Sequence, residues 1–467
     1  MGDNYIGQIK AKLVNNGDIR YRDINTSKGY IHLVYCKTMC DRSFISNYIT
    51  KPLLENKAKC ISAQSIKDNV ITSCVIEDIR SLDQALEEII SGSAVIVLGD
   101  TNQAFFCEAK GFNSRASEIP PTEATLKGPR EGFTENLDDS VAHIRRRIKN
   151  TSLKLEYISL GTKSKTNIVI VYIENIAPQK LVNFVKKKIT AMQVDSIAYS
   201  NMLEEALHNK ATPFDTIGYT EKPDIASLKI EEGRVVILMN GTPFAIIAPY
   251  FFIESFHTTD DYTENKFIAF FGRLLRWIAF FAAVLLPGLY IALFCYHFKI
   301  VPYVFIFGLA RSRAAVPFPL PVETIIMIMF FQILREAGIR LPQPIGSSLS
   351  IVGALILGEA AVKSGMASQI TVLISALTSI ATFLIPGLFI GILLFNFLII
   401  AFSSFLGLPG FFTACVILVA HLAGLTSCDY PYMYPFGTLK TFKYKDILMR
   451  GNLEDINQNI FREDDNK

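Results

Sequence analysis

Charge is nearly absent from one long part of the sequence. From Ser364 to Cys428 there is no charged side chain apart from the titratable His421. Residues 271–428 hold only eight Lys+Arg and three Asp+Glu, whereas residues 1–270 hold 32 and 33. A charge-free run of about 65 residues suffices for about three bilayer crossings of roughly 20 residues each. This excludes a wholly soluble chain and predicts a polytopic membrane protein with a soluble head.

Signals for secretion, metal binding and catalysis are also missing. The start, MGDNYIGQIKAKLV, has no basic region, apolar core or cleavage site of a secretory signal, so we expect the head in the cytoplasm. The eight cysteines show no CxxC spacing, which predicts reduced structural thiols. There is no GxxxxGK, HExxH or GxSxG, and no GxGxxG after a strand. We therefore predict no enzyme, no cofactor, no metal and no nucleic-acid partner.

The head has the pattern of an α/β fold built twice. Two apolar runs around a turn occur at Ala94–Ala109 and again at Arg234–Pro249, and each predicts a hairpin. Upstream, Asn167–Ile189 repeats the strand, break and helix order of Ile31–Leu54, where Asp41 is a suitable N-cap. Two related subdomains are predicted, built on residues 25–112 and 137–250. Chance similarity of two hairpins is the alternative.

The connection between these halves ends in a helix rich in arginine. Prolines and glycines keep its first part irregular, whereas Leu137–Ile148 has helical spacing, acidic residues in its first turn and three arginines near its end. The helix dipole alone favours this order of charges. The alternative is an interface for acidic neighbours or lipid headgroups. The interface candidates are Arg130, Glu131, Asn136, Arg145, Arg146 and Arg147.

The texture changes at Asp261. An apolar face around Phe267 and Phe271, followed by Arg273, Arg276 and Trp277, predicts an amphipathic helix that anchors at a membrane interface and leads into the first span. That span contains Pro287, so a neighbouring helix must satisfy the carbonyl that the proline leaves free. The predicted division is 1–112 first α/β subdomain, 113–136 linker, 137–260 second α/β subdomain, 261–428 membrane domain and 429–467 cytoplasmic tail.

Apolar runs predict five or six transmembrane helices. The candidate spans are Ile278–Phe298, Val322–Leu334, Ile345–Val362, Ile370–Phe389, Gly391–Leu406 and Gly410–Ser427. Six crossings place both termini on one side, in agreement with the basic tail after Lys440. Arg311 and Arg313 would then lie outside, against the usual charge bias, and Val322–Leu334 is short. A five-span or re-entrant arrangement of Val301–Leu334 is therefore the competing count.

Polar residues inside the apolar runs are the candidate site. Glu359 and Lys363 are spaced to pair on one helix face, either as a helix end at the interface or as the lining of an aqueous cavity. A small-residue face precedes them and favours close packing, within one subunit or between copies in a ring. It consists of Gly346, Ser350, Ala354 and Gly358.

Other polar residues have simpler interpretations. Glu323 follows a proline and suits a helix N-terminus, where the dipole favours a carboxylate. His421 is expected to be packed and hydrogen-bonded. Asn396, Ser403 and Ser404 are equally compatible with hydrogen bonds between helices and with pore lining.

Several strings together resemble a known family. They are TEATLKGPREGFTEN, EEGRVVILMNGTPFAIIAP, the VPFP of Val316–Pro319 and ILREAGIRLPQPIGSSLSIVGALILGEAAV. They are similar to the A subunits of endospore germinant receptors, the GerA type. The resemblance implies a spore inner membrane protein that works with a transporter-like B subunit and a lipoprotein C subunit. It also implies a ring, suspected to be a pentamer, that opens as a nutrient-gated channel for monovalent cations.

Two departures and two rival functions accompany the resemblance. Glu359 stands where the family pattern leads us to expect glutamine, and the segment before the first strand is short. One rival is a scaffold that transmits the signal without conducting ions. The other is a secondary transporter, which would require inverted repeats among the spans, and none is evident in the sequence.

Overall fold

The chain folds as two units. The computed structural model describes residues 5–26, 29–56, 62–72, 75–99, 103–111, 123, 127–208, 210–341, 353–354, 356–436, 447, 451 and 461. One unit, which we call the head, comprises Met1–Asn209, Ile217–Pro249 and Gly451–Lys467. The other, which we call the helical unit, comprises Lys210–Thr216 and Tyr250–Arg450.

The head contains two five-stranded antiparallel sheets. The first has the order β1-β2-β4-β5-β3 and the second the order β6-β7-β9-β10-β8, so the two sheets have the same topology. The strands of the first are β1 Ile19–Thr26, β2 Gly29–Cys36, β3 Ile76–Asp78, β4 Ser93–Leu98 and β5 Ala104–Glu108. Those of the second are β6 Leu153–Leu160, β7 Thr166–Ile173, β8 Gly218–Thr220, β9 Val235–Met239 and β10 Ala245–Ala248. Both predicted hairpins are confirmed as β4–β5 and β9–β10.

Each sheet is covered by apolar groups, and in the first sheet two separate clusters lie on opposite faces. In β4, Ala94 and Ile96 belong to one buried cluster, while Val95 and Val97 belong to another. Successive strand residues point to opposite faces, so a continuous apolar run fits a strand that is buried on both sides. The apolar continuity of Ala94–Leu98 therefore reflects burial of both faces.

The helices repeat in the same order as the strands. In each half a helix precedes two strands, and further helices, one strand, another helix and two strands follow. Asp41 caps the first of these further helices by accepting hydrogen bonds from the amides of Ser43 and Phe44, as predicted. The helices are α1 Tyr5–Lys12, α2 Arg42–Phe44 continued by π-helical Ile45–Thr50, α3 Lys51–Glu55, α4 Ala63–Asn69, α5 Leu82–Ser91, α6 Leu137–Arg147, α7 Gln179–Thr190, α8 Asn201–Leu207 and α9 Pro223–Glu231. The boundaries of the two subdomains stay a prediction.

The helical unit is built around one long helix, α11, which packs against α15, α16 and α17. Phe280, Ala283 and Val284 of α11 lie in one buried apolar cluster with Ile392 and Ile399 of α16. The helices are α10 Asp260–Thr263, α11 Lys266–Tyr296, α12 Tyr303–Arg313, α13 Leu320–Arg340, α14 with described residues 353–354 and 356–363, α15 Gln369–Phe383, α16 Phe389–Leu406 and α17 Leu408–Ala423. A short hairpin follows, formed by β11 Thr426–Ser427 and β12 Tyr430–Pro431.

Two stretches of the described helical unit are long and apolar enough to cross a bilayer. They are Lys266–Tyr296, which contains the predicted first span except for its last two residues, and Pro386–Leu406. Gln369–Phe383 and Leu408–Ala423 are apolar but shorter. The stretch Val301–Leu334, whose topology the sequence left open, forms two helices, α12 and α13, joined by a proline-containing turn.

The start of α11 differs from the prediction. Arg273 is fully buried and Arg276 nearly so, and both guanidinium groups bind the carboxylate of Asp261. Trp277 stacks on Phe256 with ring centroids 3.9 Å apart. The three residues expected to anchor the helix at the interface therefore have partners within the protein. Asp261 neutralises the two arginines, and Phe256 stacks on the tryptophan.

Candidate functional site

The predicted ion pair of α14 is formed and remains exposed. The Nζ of Lys363 lies 2.6 Å from Oε1 of Glu359, with 75% and 59% of the two side chains exposed. The preceding small residues Ala354 and Gly358 are half-buried, and a Cβ at Gly358 would meet Val372 of α15 at 3.5 Å. Gly346 and Ser350 lie outside the described residues. The described end of α14 therefore packs on α15 and leaves its charges uncovered.

Glu323 is fully buried and links two other helices. Its Oε2 accepts a hydrogen bond from Nε of Arg313 at 3.2 Å, at the end of α12. Its Oε1 accepts from the backbone amide of Ser368 at 2.7 Å, at the start of α15. Glu323 lies in the first turn of α13, as expected, and its carboxylate also satisfies a free amide of α15, which the sequence did not predict.

A hydroxyl network continues from this point. Ser368 caps α15, and its Oγ lies 3.0 Å from Oγ1 of Thr371. The hydroxyl of Tyr290, from α11, lies 3.0 Å from the same Thr371 oxygen. Polar groups of α11, α12, α13 and α15 thus meet in one buried cluster, where each unpaired group would cost free energy.

The proline in α11 has the partner that the sequence required. Pro287 has no N–H for the carbonyl of Ala283, four residues before it. The Nδ2 of Asn396 in α16 donates to that carbonyl at 2.7 Å. Ser403, one of the other polar candidates, is buried beside Gly288, and Ser404 donates to the carbonyl of Ile400 in its own helix. For Asn396 the structure therefore gives a hydrogen bond between helices.

In the head, α6 presents its three arginines to the chain itself. Arg145 is fully buried, and its guanidinium donates to both carboxylate oxygens of Asp18, at 2.9 and 3.1 Å, and to Asn16. These partners belong to the segment before β1, so the pair joins the two halves of the head. Because Arg145 is fully buried, it cannot contact a lipid headgroup or another protein, so it does not fit the interface alternative.

The other interface candidates have local partners or remain exposed. Arg146 and Arg147 both donate to Glu131, at 2.9 and 2.7 Å. Burial alone would raise the pKa of Glu131, but hydrogen bonds and charge from the two arginines lower it. The side chain of Asn136 caps α6 by accepting from the amide of Asp138 at 3.0 Å. Arg130 is exposed on the surface of the head.

The sequence identified several charged residues of these buried ion pairs but not the residues with which they pair. Arg313, Asp261 and Asp18 were not chosen as site residues, although the first two pair with a neighbouring helix and Asp18 pairs with a residue 127 positions away. A charge inside an apolar stretch is a signal for such a partner, because unpaired buried charge is costly. Within the described ranges, no group of three or more His, Cys, Asp or Glu side chains could hold a metal ion.

A head with two sheets of the same topology is continued in one chain by a helical unit, in which two described stretches are long and apolar enough to cross a bilayer; this suits a membrane-associated protein. Its family follows from the model of the Bacillus/Clostridium GerA spore germination protein, which matches residues 7–460. The chain belongs to this family. This assignment confirms the resemblance and the prediction that the protein is not an enzyme.

Curated relatives cover nearly the whole chain. This chain is 33% identical over 453 residues to spore germination protein KA of Bacillus subtilis (strain 168), and the match covers 95% of this chain and 83% of the relative. It is 34% identical over 439 residues to the B. subtilis protein named uncharacterized membrane protein YfkQ, covering 93% and 85%. Spore germination protein GerLA of Bacillus cereus is 30% identical over 454 residues, covering 95% and 92%.

One solved structure also matches part of the chain. It is the crystal structure of the N-terminal domain of the A subunit of the Bacillus megaterium spore germinant receptor GerK3. The sequences are 26% identical, the TM-score is 0.42, and the match covers 53% of this chain and 94% of that domain.

Proposed function

We propose that this protein is the A subunit of a nutrient germinant receptor, and that its copies form a ring of five subunits, which opens as an ion channel. The channel releases monovalent cations from the spore core in response to nutrient. Membership of the spore germination family supports the biological role. The observation that carries the channel is the exposed Glu359–Lys363 pair within an otherwise apolar part of the chain.

The exposure of this pair fits water contact, either at a helix end or in a cavity, and we propose the cavity. Charged side chains inside a membrane usually face a water-filled cavity or pair with one another. Here they pair, yet more than half of each side chain is uncovered by the rest of the chain. In a ring, copies of α14 would repeat the pair around an axis, where charge can select or gate ions.

The proposal includes location and partners. The subunit resides in the spore inner membrane with five or six crossings, and its head lies on the cytoplasmic, core side. It works with a transporter-like B subunit that senses nutrient and a lipoprotein C subunit. Arg130 remains available as a contact for one of these neighbours or for lipid.

Conductance of the purified full chain in planar bilayers tests the channel. We expect cation currents, and we expect Glu359→Gln to change their size or selectivity while assembly is kept. The matched control is Glu336→Gln, because Glu336 forms a similar exposed pair with Arg340 four residues on. If the assembled protein carries no current, the result supports the second candidate function, a scaffold that does not conduct ions. Equal currents in Glu359→Gln and wild type would remove Glu359 from the pore.

A further inference from the structure

A short segment from the middle of the head sequence is built into the helical unit. Residues Lys210–Thr216 belong to the helical unit, whereas the residues immediately before and after them belong to the head. On one side the chain continues into α8, and on the other into β8. Both ends of this segment, which we call the insert, are therefore covalently continuous with elements of the head.

One aromatic side chain of the insert, Phe214, is buried in the helical unit. Phe214 is 1% exposed, and its ring centroid lies 5.6 Å from that of Phe395 and 5.9 Å from that of His421. Gly391 of α16 lies directly against the ring. A Cβ there would come within 2.8 Å of Cζ of Phe214 and closer still to two other ring atoms. Only glycine leaves room for the ring at this point of α16.

Hydrogen bonds fix the insert on both sides of Phe214. The Oγ1 of Thr212 lies 3.1 Å from Nε2 of His421 in α17 and accepts from the amide of Phe214. Beyond the ring, the carbonyl of Thr216 accepts from Oγ of Ser427, which in turn accepts from the amide of Tyr250 at 2.9 Å. All these partners lie inside the helical unit, and His421 is packed and hydrogen-bonded as expected.

We infer that Phe214 is a positioning residue through which a movement of α16 and α17 is passed along the chain to α8 and β8, and the reverse. The insert has seven residues, and a residue spans at most about 3.6 Å, so a chain fixed at several points has little slack. A buried ring packed against a glycine has discrete positions rather than a continuous range. A shift of α16 at Gly391 must then move the insert.

This inference rests on the proposed function for its biological meaning, because a receptor channel must connect a signal to its membrane helices. Such coupling requires an element whose arrangement both regions bias. Phe214 and Gly391 form such an element in the described part of the chain.

Hydrogen–deuterium exchange of the purified full chain tests the link. We compare Gly391→Ala, which forces the ring away, with the matched control Gly387→Ala, whose Cβ would have no atom within 4 Å. We expect Gly391→Ala to speed exchange several-fold in α16 and α17 and also in α8 and β8. The control should leave α8 and β8 unchanged. The double variant Gly391→Ala, Phe214→Leu, which makes room for the methyl group, should return exchange in α8 and β8 toward wild type.

Exchange that rises only in α16 and α17 would overturn the inference, as would equal effects of the two glycine substitutions on α8 and β8. If Gly391→Ala does not fold, Phe214→Leu alone decides, because loosening of the ring should still raise exchange in α8 and β8. The measurement needs no current and no nutrient. Absence of conductance would count against the channel and leave this link standing.

Discussion

At the scale of single residues, the buried ion pair of Arg145 and Asp18 is expected to be important for the stability of the head. Both side chains are fully buried, so removal of one partner leaves an uncompensated charge in the interior. We expect Arg145→Ala to destabilise the protein by about 3–5 kcal/mol. The measurement is thermal unfolding of the purified full chain.

The control for this prediction is Arg42→Ala. Arg42 pairs with Asp138 at 2.9 Å, but 61% of its side chain is exposed. Exposed pairs contribute about 0–1 kcal/mol, so its loss should be barely measurable. Similar losses in the two variants would contradict the assignment of Arg145 to the interior.

His143, on the same helix, predicts a dependence of stability on pH. Burial lowers the pKa of His143 below the usual value of about 6.5 for a histidine, so the folded protein favours the neutral imidazole. The unfolded chain then binds the proton first as pH falls, and stability declines below about pH 6.5 by at most about 1.4 kcal/mol per pH unit for one proton. Glu131 adds a decline at lower pH, because its depressed pKa stabilises the fold only while the carboxylate is charged.

We expect the midpoint temperature of unfolding of the full chain to decrease when the pH is lowered from 7.5 to 5.5. In His143→Gln this decrease should be smaller. His32→Gln is the control, because His32 is half-buried on β2 and pairs with Asp23, whose side chain is 53% exposed. An undiminished fall in His143→Gln would show that other groups carry the proton linkage.

At the scale of elements, the bond between Asn396 and the carbonyl of Ala283 predicts a rescue. Asn396→Leu leaves a buried carbonyl unpaired beside Pro287, which costs about 1–3 kcal/mol. Pro287→Ala supplies the missing N–H within α11. We therefore expect the double variant to be more stable than Asn396→Leu alone, measured by thermal unfolding in detergent. Simple addition of the two losses would indicate that Pro287 is not what makes Asn396 necessary.

The strands and helices also show which features could be predicted from the sequence and which could not. The hairpins at Ala94–Ala109 and Arg234–Pro249 were predictable because the turn and its flanking strands are adjacent in the chain. Pairs such as Arg145 with Asp18, or Phe214 with Gly391, are separated by more than a hundred residues. No local pattern identifies such partners, since they are decided by packing of whole elements. The sequence did locate the need for a partner at Pro287, because a missing N–H is a local fact.

At the scale of the whole molecule, the number of crossings can be decided by introduced cysteines. With six crossings and the head inside, Lys299→Cys after α11 should react with a membrane-impermeant maleimide from outside. Arg340→Cys at the end of α13 should react only after permeabilisation. Labelling of Arg340→Cys from outside would favour the five-span or re-entrant arrangement. The two probes lie before α12 and at the end of α13, so they test the stretch whose crossing the sequence left open.

The proline of α11 and the asparagine of α16 also have a consequence for related sequences. Because the amide of Asn396 substitutes for the N–H that Pro287 lacks, each residue is useful only while the other is present. Through descent the two positions should change together: relatives that have lost the proline are free to replace the asparagine with an apolar residue. Relatives that keep the proline should retain a hydrogen-bond donor opposite it.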